Sequence, residues 1–206
     1  MPSEVFSIVG SALNPKKPRP ILFLTSNRHK ASEAQTILKP FGVKVISKPA
    51  KGIEIQSDSI EEVARVCAVS AYKRFRRPLL VEDSGLFIDS LNGFPGVYSR
   101  AVYDQVGCAG ILRLLAQERQ RSAKFVCALA YADSKGVRIF KGVVNGKIAS
   151  RKSPGAGFGY DPIFIPSGHS KPFSALPKVK AKLSHRAAAF QSFGRFMAKK
   201  AKNTPR

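Results

Sequence analysis

No Asp or Glu follows Asp161 in this 206-residue chain, and 13 acidic residues stand against 35 Lys and Arg, for a net charge of +22. Such an excess points to an anionic partner, either a nucleic acid or a small and highly charged anion, and net charge alone does not separate the two. Also missing is any apolar run close to the roughly 18 residues that a membrane-crossing helix requires. The apolar stretch from Val5 to Leu13 is short and interrupted, follows Glu4, and precedes Lys16, Lys17 and Arg19, the reverse of a secretion signal. Residues 1–20 therefore read as a flexible basic leader. Cysteine is scarce as well: Cys67, Cys108 and Cys127 are far apart, odd in number and set among apolar neighbours. That excludes a disulfide framework and a paired-cysteine metal site, and suits buried thiols in a reducing cytoplasm.

What remains is 44% hydrophobic, enough for one substantial core and one domain, with a bilobed shape admitted. Ile21 to Thr25 reads as a buried strand, Ser26-Asn27 as a helix cap, and Ala31, Ala34, Ile37 and Leu38 as the apolar face of a helix that stops before Pro40. Val43 to Ile46 and Ile53 to Ile55 are expected strands. Ser59 with Glu62 forms a capping-box pattern opening a helix whose apolar face is Ile60, Val63, Cys67 and Ala71. Leu79 to Val81 reads as a strand interrupted at Glu82-Asp83-Ser84-Gly85 and resumed at Leu86 to Ile88. A helix over Val106 to Glu118 follows, then strands over Phe125 to Tyr131 and Val137 to Val144, with Asp133 to Gly136 and Asn145-Gly146 as hairpin turns. Ser184 caps a last helix carrying Phe190, Phe193 and Met197 on one face.

Four segments carry residue types suited to chemistry. At Thr25-Ser26-Asn27-Arg28-His29-Lys30 a strand gives way to a helix, whose unpaired N–H groups and dipole make an anion site, although an ordinary capped helix start would read the same. Seven of the 13 acids lie between Glu54 and Asp89, which suggests a cation site in so basic a chain. Glu82 and Asp83 share one site only if the backbone turns there, because successive strand side chains point to opposite faces; Glu54 offers a third hard oxygen. Gly157-Phe158-Gly159-Tyr160-Asp161-Pro162 supplies aromatic faces and an acceptor carboxylate, and Ser184-His185-Arg186 supplies donors at a helix start. Taken singly, each segment is as well explained by a turn, a cap or a core loop.

Taken in order, they resemble the inosine triphosphate pyrophosphatase (Ham1-like) family, and its archaeal members in particular. The matching residues are Thr25-x-Asn27-x-x-Lys30-x-x-Glu33, Glu54-x-Gln56, Glu82-Asp83-Ser84-Gly85-Leu86, Gly93-x-Pro95-Gly96-x-Tyr98-Ser99, Gly157 to Pro162 and Ser184-His185-Arg186. The likeness runs from about Ile21 to about Phe196. It implies an α/β fold, an elongated mixed sheet with two lobes flanking a deep cleft, over residues 21–198, with 199–206 as a basic tail. It also implies a cytoplasmic homodimer that hydrolyses ITP, dITP and XTP to the monophosphate and pyrophosphate.

Carried over by position, Thr25, Asn27 and Lys30 would hold the phosphates, and Glu54, Glu82 and Asp83 would hold magnesium. Asp83 would also be the general base, and Ser84 and Lys180 would bind substrate. Phe158, Gly159, Tyr160, Asp161, His185 and Arg186 would form the base pocket. The chain departs from the family pattern at Ser26, usually glycine, at Val69, usually lysine, and at Ala175, usually glutamate; Lys73 lies one turn beyond Val69. Two alternatives stand beside this reading. A Maf-type pyrophosphatase shares the reaction, but its serine-rich, arginine-containing signature is missing. A nucleic-acid-binding module would use the charge and the interleaved basic and aromatic residues of Phe190 to Lys200, with nucleic-acid contact through the basic ends.

Overall fold

The computed structural model describes residues 20–50, 53 and 55–203. The leader up to residue 19, Glu54 and residues 204–206 lie outside the described residues. In chain order the main elements are β1 (Ile21–Leu24), α1 (Arg28–Leu38), β2 (Val45–Lys48), α2 (Ile60–Phe75), β3 (Leu79–Ile88) and α3 (Ser99–Leu114). They continue with β4 (Ser122–Asp133), β5 (Gly136–Ile148), β6 (Phe164–Pro166), α4 (Pro177–Leu183) and α5 (His185–Lys202). The described strands form one mixed sheet ordered β2-β1-β3-β4-β5-β6, parallel over the first three and antiparallel from β3 onward. None of the described helices is long and apolar enough to cross a membrane.

Alternation along the strands divides the near half of the sheet into two cores. Phe23, Leu80, Leu129 and Tyr131 face α1 and α5, meeting Ala34, Leu38, Phe190 and Phe193. Leu22, Leu24, Leu79, Val81, Ala128 and Ala130 face α2, meeting Ile60, Ala64, Ala68 and Ala71. A third core fills the far half, where Leu86, Ile88, Phe125 and Ile148 pack on Cys108 and Ile111 of α3 and on Tyr160, Ile163, Phe164 and Phe173. We take the near half of the sheet, with two cores, and the far half, with one, as two lobes, joined by the long strands β3, β4 and β5. The strand β1 is short: its last residue pairs Leu24 with Val81, so from Glu82 onward β3 has no β1 neighbour. The opening beside Glu82 is where α1 begins.

Several sequence expectations change. β3 runs unbroken through Glu82-Asp83-Ser84-Gly85, each residue paired with β4 from Leu129 to Val126, so the backbone does not turn there. Asn145-Gly146 is no hairpin turn but part of β5, because β6 pairs Pro166 against Gly146. Ile53 and Ile55 are not in a strand. The third helix starts at Ser99 rather than Val106, with a break at Gly107 (φ 59°), and β6 and α4 were not anticipated. Ser59 accepts the Glu62 N–H as the capping box requires, but the Glu62 carboxylate receives the Ser57 hydroxyl instead of closing the box. Helix α5 continues through Lys199, Lys200 and Lys202, the start of the expected tail, and Lys200 bonds Asp133 at 2.7 Å.

The contact between β5 and α5 depends on Gly142, where a Cβ would collide with the carbonyl oxygen of His185 and with the Ala189 nitrogen. Replacing Gly142 by Ala is therefore expected to cost roughly 1–3 kcal/mol through overpacking. In thermal unfolding that is a fall of about 2–12 °C in Tm; an unchanged Tm would contradict the close approach of helix and strand.

Candidate active site

Helix α1 starts where β1 stops because Asn27 caps it: its side-chain oxygen accepts the N–H groups of His29 and Lys30 at 2.9 and 3.2 Å. The Thr25 hydroxyl oxygen accepts the Asn27 N–H at 3.1 Å, which fixes the turn before the helix. Lys30 then reaches the opening beside β3, its ammonium 3.3 Å from Glu82 Oε1. Three positions on, Glu33 falls on the same face of α1, and its carboxylate receives Lys180 at 3.1 Å and Arg186 at 2.7 Å.

Arg186 is the centre of the arrangement. It sits in the first turn of α5, 1% exposed, and forks onto Glu82, Nε to Oε2 at 2.9 Å and Nη2 to Oε1 at 2.8 Å. Its Nη2 also lies 3.3 Å from the Ser84 hydroxyl, because Glu82 and Ser84 share the α5 face of β3. Burial alone would raise the Glu82 carboxyl, but Arg186 and then Lys30 hold it well below the ordinary carboxylate range. Burial would likewise lower Arg186, and Glu82 more than reverses that. Asp83 falls on the opposite face of β3, with Val81, and its Oδ1 accepts the Ser84 N–H at 2.9 Å.

The loop from Gly157 closes the cluster from the far lobe. Asp161 is 3% exposed, accepts the Phe158 N–H at 2.8 Å and binds Lys180 at 2.6 Å. Burial pushes its carboxyl up despite the nearby Lys180. Gly157 has φ +126°, and a Cβ there would strike the Asp161 side chain, so glycine is required. The Phe158 ring has the Lys180 ammonium 4.1 Å from its centroid and stacks on His29 at 5.0 Å. Tyr160 turns into the far core, its hydroxyl donating to the Ser99 carbonyl, and the Gly159 carbonyl receives the Cys108 thiol. His185 is buried and stacked on Phe125 at 4.7 Å, and its Nδ1 has no hydrogen-bond partner.

Lys30, Glu33, Glu82, Ser84, Phe158, Asp161, Lys180 and Arg186 thus meet in one cluster drawn from both lobes. The model of the Ham1 family matches residues 21–196, which span all of them.

The chain belongs to the Ham1 family.

Among relatives, a dITP/XTP pyrophosphatase of Ignicoccus hospitalis is 46% identical over 181 residues, 86% of this chain and 96% of that protein. One of Saccharolobus solfataricus is 43% identical, covering 84% and 91%. Among solved structures, the Staphylococcus aureus Ham1 protein superposes with a TM-score of 0.77 at 29% identity, covering 88% of this chain and all of that one. A Coxiella burnetii HAM1 protein gives 0.78 at 31%, covering 87% and 98%.

Within this Ham1-family cluster, Glu33 was the residue whose role the sequence left unassigned; its spacing of three from Lys30 was the available signal. The two positions that depart from the family pattern on α2 and near α4 take no part in the cluster's ion pairs: Val69 is 40% exposed, and Ala175 ends a short turn before α4. Among the described residues no group of three His, Cys, Asp or Glu is arranged to hold a metal ion, and Glu54 lies outside them.

Two outcomes are expected. Arg186→Met strands Glu82 as a buried charge and should lower unfolding stability by about 3–5 kcal/mol in urea, whereas Glu82→Leu/Arg186→Met together should recover most of it. An additive double variant would contradict the pairing. His185 is held neutral, first by burial and then by Arg186, well below its ordinary value of 6.5. As pH falls below about 6.5 the unfolded chain takes up a proton that the folded chain refuses, so stability should fall with pH. In melts between about pH 6.5 and 5, His185→Phe should flatten this slope; equal slopes would refute the neutral buried imidazole.

Proposed function

We propose that this chain hydrolyses non-canonical purine nucleoside triphosphates, dITP, ITP and XTP, to the monophosphate and pyrophosphate. The carrying observation is the ion-pair network Lys30–Glu82–Arg186–Glu33–Lys180–Asp161, which gathers residues of four separate motifs beside an aromatic ring and a helix N-terminus. The relatives named above act, by their names, on dITP and XTP. A homodimer in the cytoplasm is the assembly and place we expect.

In this reading Thr25, the α1 N-terminus and Lys30 receive the phosphates, with Asn27 holding the turn in shape. Phe158 stacks on the base. Arg186 has five N–H donors, of which four are used by Glu82, Glu33 and Ser84, leaving one on Nη1 for a purine 6-keto oxygen. A 6-amino group offers that donor nothing to bind, at a cost of roughly 1–3 kcal/mol. Asp161, Lys180 and His185 frame the base edge, and Gly159 and Tyr160 hold the loop.

The cluster balances its own charge, Lys30, Lys180 and Arg186 against Glu33, Glu82 and Asp161, so an incoming triphosphate needs further positive charge. That favours a divalent ion. Three of roughly four carboxylate lone-pair sites on Glu82 are engaged by Arg186 and Lys30, and its side chain is fully covered. Because Asp83 faces the other side of the unbroken β3, the two carboxylates do not converge; the metal role falls to Asp83 with Glu54, and Glu82 holds Arg186 and Lys30. Magnesium bound there would supply charge neutralisation at the triphosphate. Asp83 orients water and takes its proton as the water attacks the α-phosphorus, and Lys30 offsets charge on the departing pyrophosphate.

Pyrophosphate release from dITP, XTP, GTP and ATP, with magnesium and with chelator, tests this. Turnover of dITP and XTP should exceed that of ATP by about 10²-fold and vanish with chelator; equal turnover of ATP would refute the base assignment. Asp83→Asn should lower kcat by about 10²- to 10⁴-fold, and unaltered turnover would remove Asp83 from the chemistry.

A further inference from the structure

We propose that His29 forms the second aromatic wall of the base subsite, so that the purine lies between the His29 imidazole and the Phe158 ring. This deepens the functional reading above and rests on it. The two rings come from opposite lobes, His29 from the first turn of α1 and Phe158 from the loop beyond β5, yet they lie nearly parallel, 15° apart with centroids at 5.0 Å. Both are anchored through their backbones: the His29 N–H by Asn27 and the Phe158 N–H by Asp161. The rings therefore face one another because two rigid turns direct them there.

The surroundings of Phe158 decide from which side a flat base can approach. Lys180 covers the ring at 4.1 Å, and that ammonium is buried and bound to both Asp161 and Glu33, so nothing planar enters along it. His29 is exposed, and its imidazole makes no hydrogen bond among the described residues, so it can yield by a side-chain rotation. His29 also stands two residues from Asn27, in the turn proposed to receive the phosphates. A nucleotide whose phosphates lie at the start of α1 brings its base to the seam between these rings. The rings part by one ring thickness and the purine takes the gap, each face meeting an aromatic plane. Stacking reads the face of a base and not its edge substituents, so His29 raises affinity for every purine alike and leaves the choice of 6-keto over 6-amino to Arg186.

The test compares wild type with His29→Ala and His29→Phe. For dITP, His29→Ala should raise KM about 5- to 20-fold, as loss of one stacking face implies, with kcat within about twofold and the dITP to dATP ratio of kcat/KM unchanged. His29→Phe should restore KM. Inhibition by inorganic tripolyphosphate, which has no base, should be the same in all three. Calorimetric binding of inosine monophosphate needs no turnover, so it reads the base subsite even if wild type fails to hydrolyse dITP, an outcome that would overturn the functional reading alone. Weaker monophosphate binding in His29→Ala, rescued by Phe, supports the wall. An unchanged or lowered KM, or an equal loss of tripolyphosphate inhibition, overturns it.

Discussion

A guanidinium can be buried only if carboxylates are buried with it, and the rest of this site follows from that constraint. Arg186 at 1% exposure is matched by Glu82, whose side chain is fully covered, in a two-pronged contact that satisfies both planes at once. Either group alone would carry a desolvation cost of several kcal/mol. Together they fix the start of α5 against the middle of β3, which is the junction of the two lobes. Glu33 and Lys180 extend the same logic outward, each charge finding its opposite, until the chain reaches Asp161 and the loop that carries Phe158.

Strand length makes room for this pair. A four-residue β1 beside a ten-residue β3 leaves Glu82 without a parallel neighbour, and the vacated edge is filled by the N-terminus of α1 and its lysine. The helix must begin where the strand ends, and Thr25 and Asn27 enforce that by bonding to the turn's own N–H groups.

Local signals made much of the fold legible. The capped helices α1, α2 and α5 and the β4–β5 hairpin at Asp133 to Gly136 could be read from spacing and turn residues. The misreadings share a cause, which is that the deciding partner lies far away in the chain. Glu82-Asp83 looked like a break because acids are poor strand residues, yet β4 supplies a complete ladder and Arg186, 104 positions on, neutralises the buried carboxylate. Asn145-Gly146 looked like a turn until β6 paired with it. The site residues were named through an ordered resemblance, whereas their mutual bonds were not readable: that Arg186 holds Glu82 and Glu33 is a fact of packing, invisible in a helix-cap motif.

The self-neutralised cluster also bears on how selectivity and stability are joined. Because four of the five Arg186 donors are spent inside the protein, the arginine is held rigid, and the donor left over points from a fixed frame. A mobile arginine would bend to suit either a keto or an amino edge; one locked by two carboxylates cannot. In the proposed function, the buried charges that burden folding are thus the same ones that let a single N–H discriminate. In the proposed base subsite, a stacking contact as indifferent as that of His29 and Phe158 would then contribute affinity without eroding the choice.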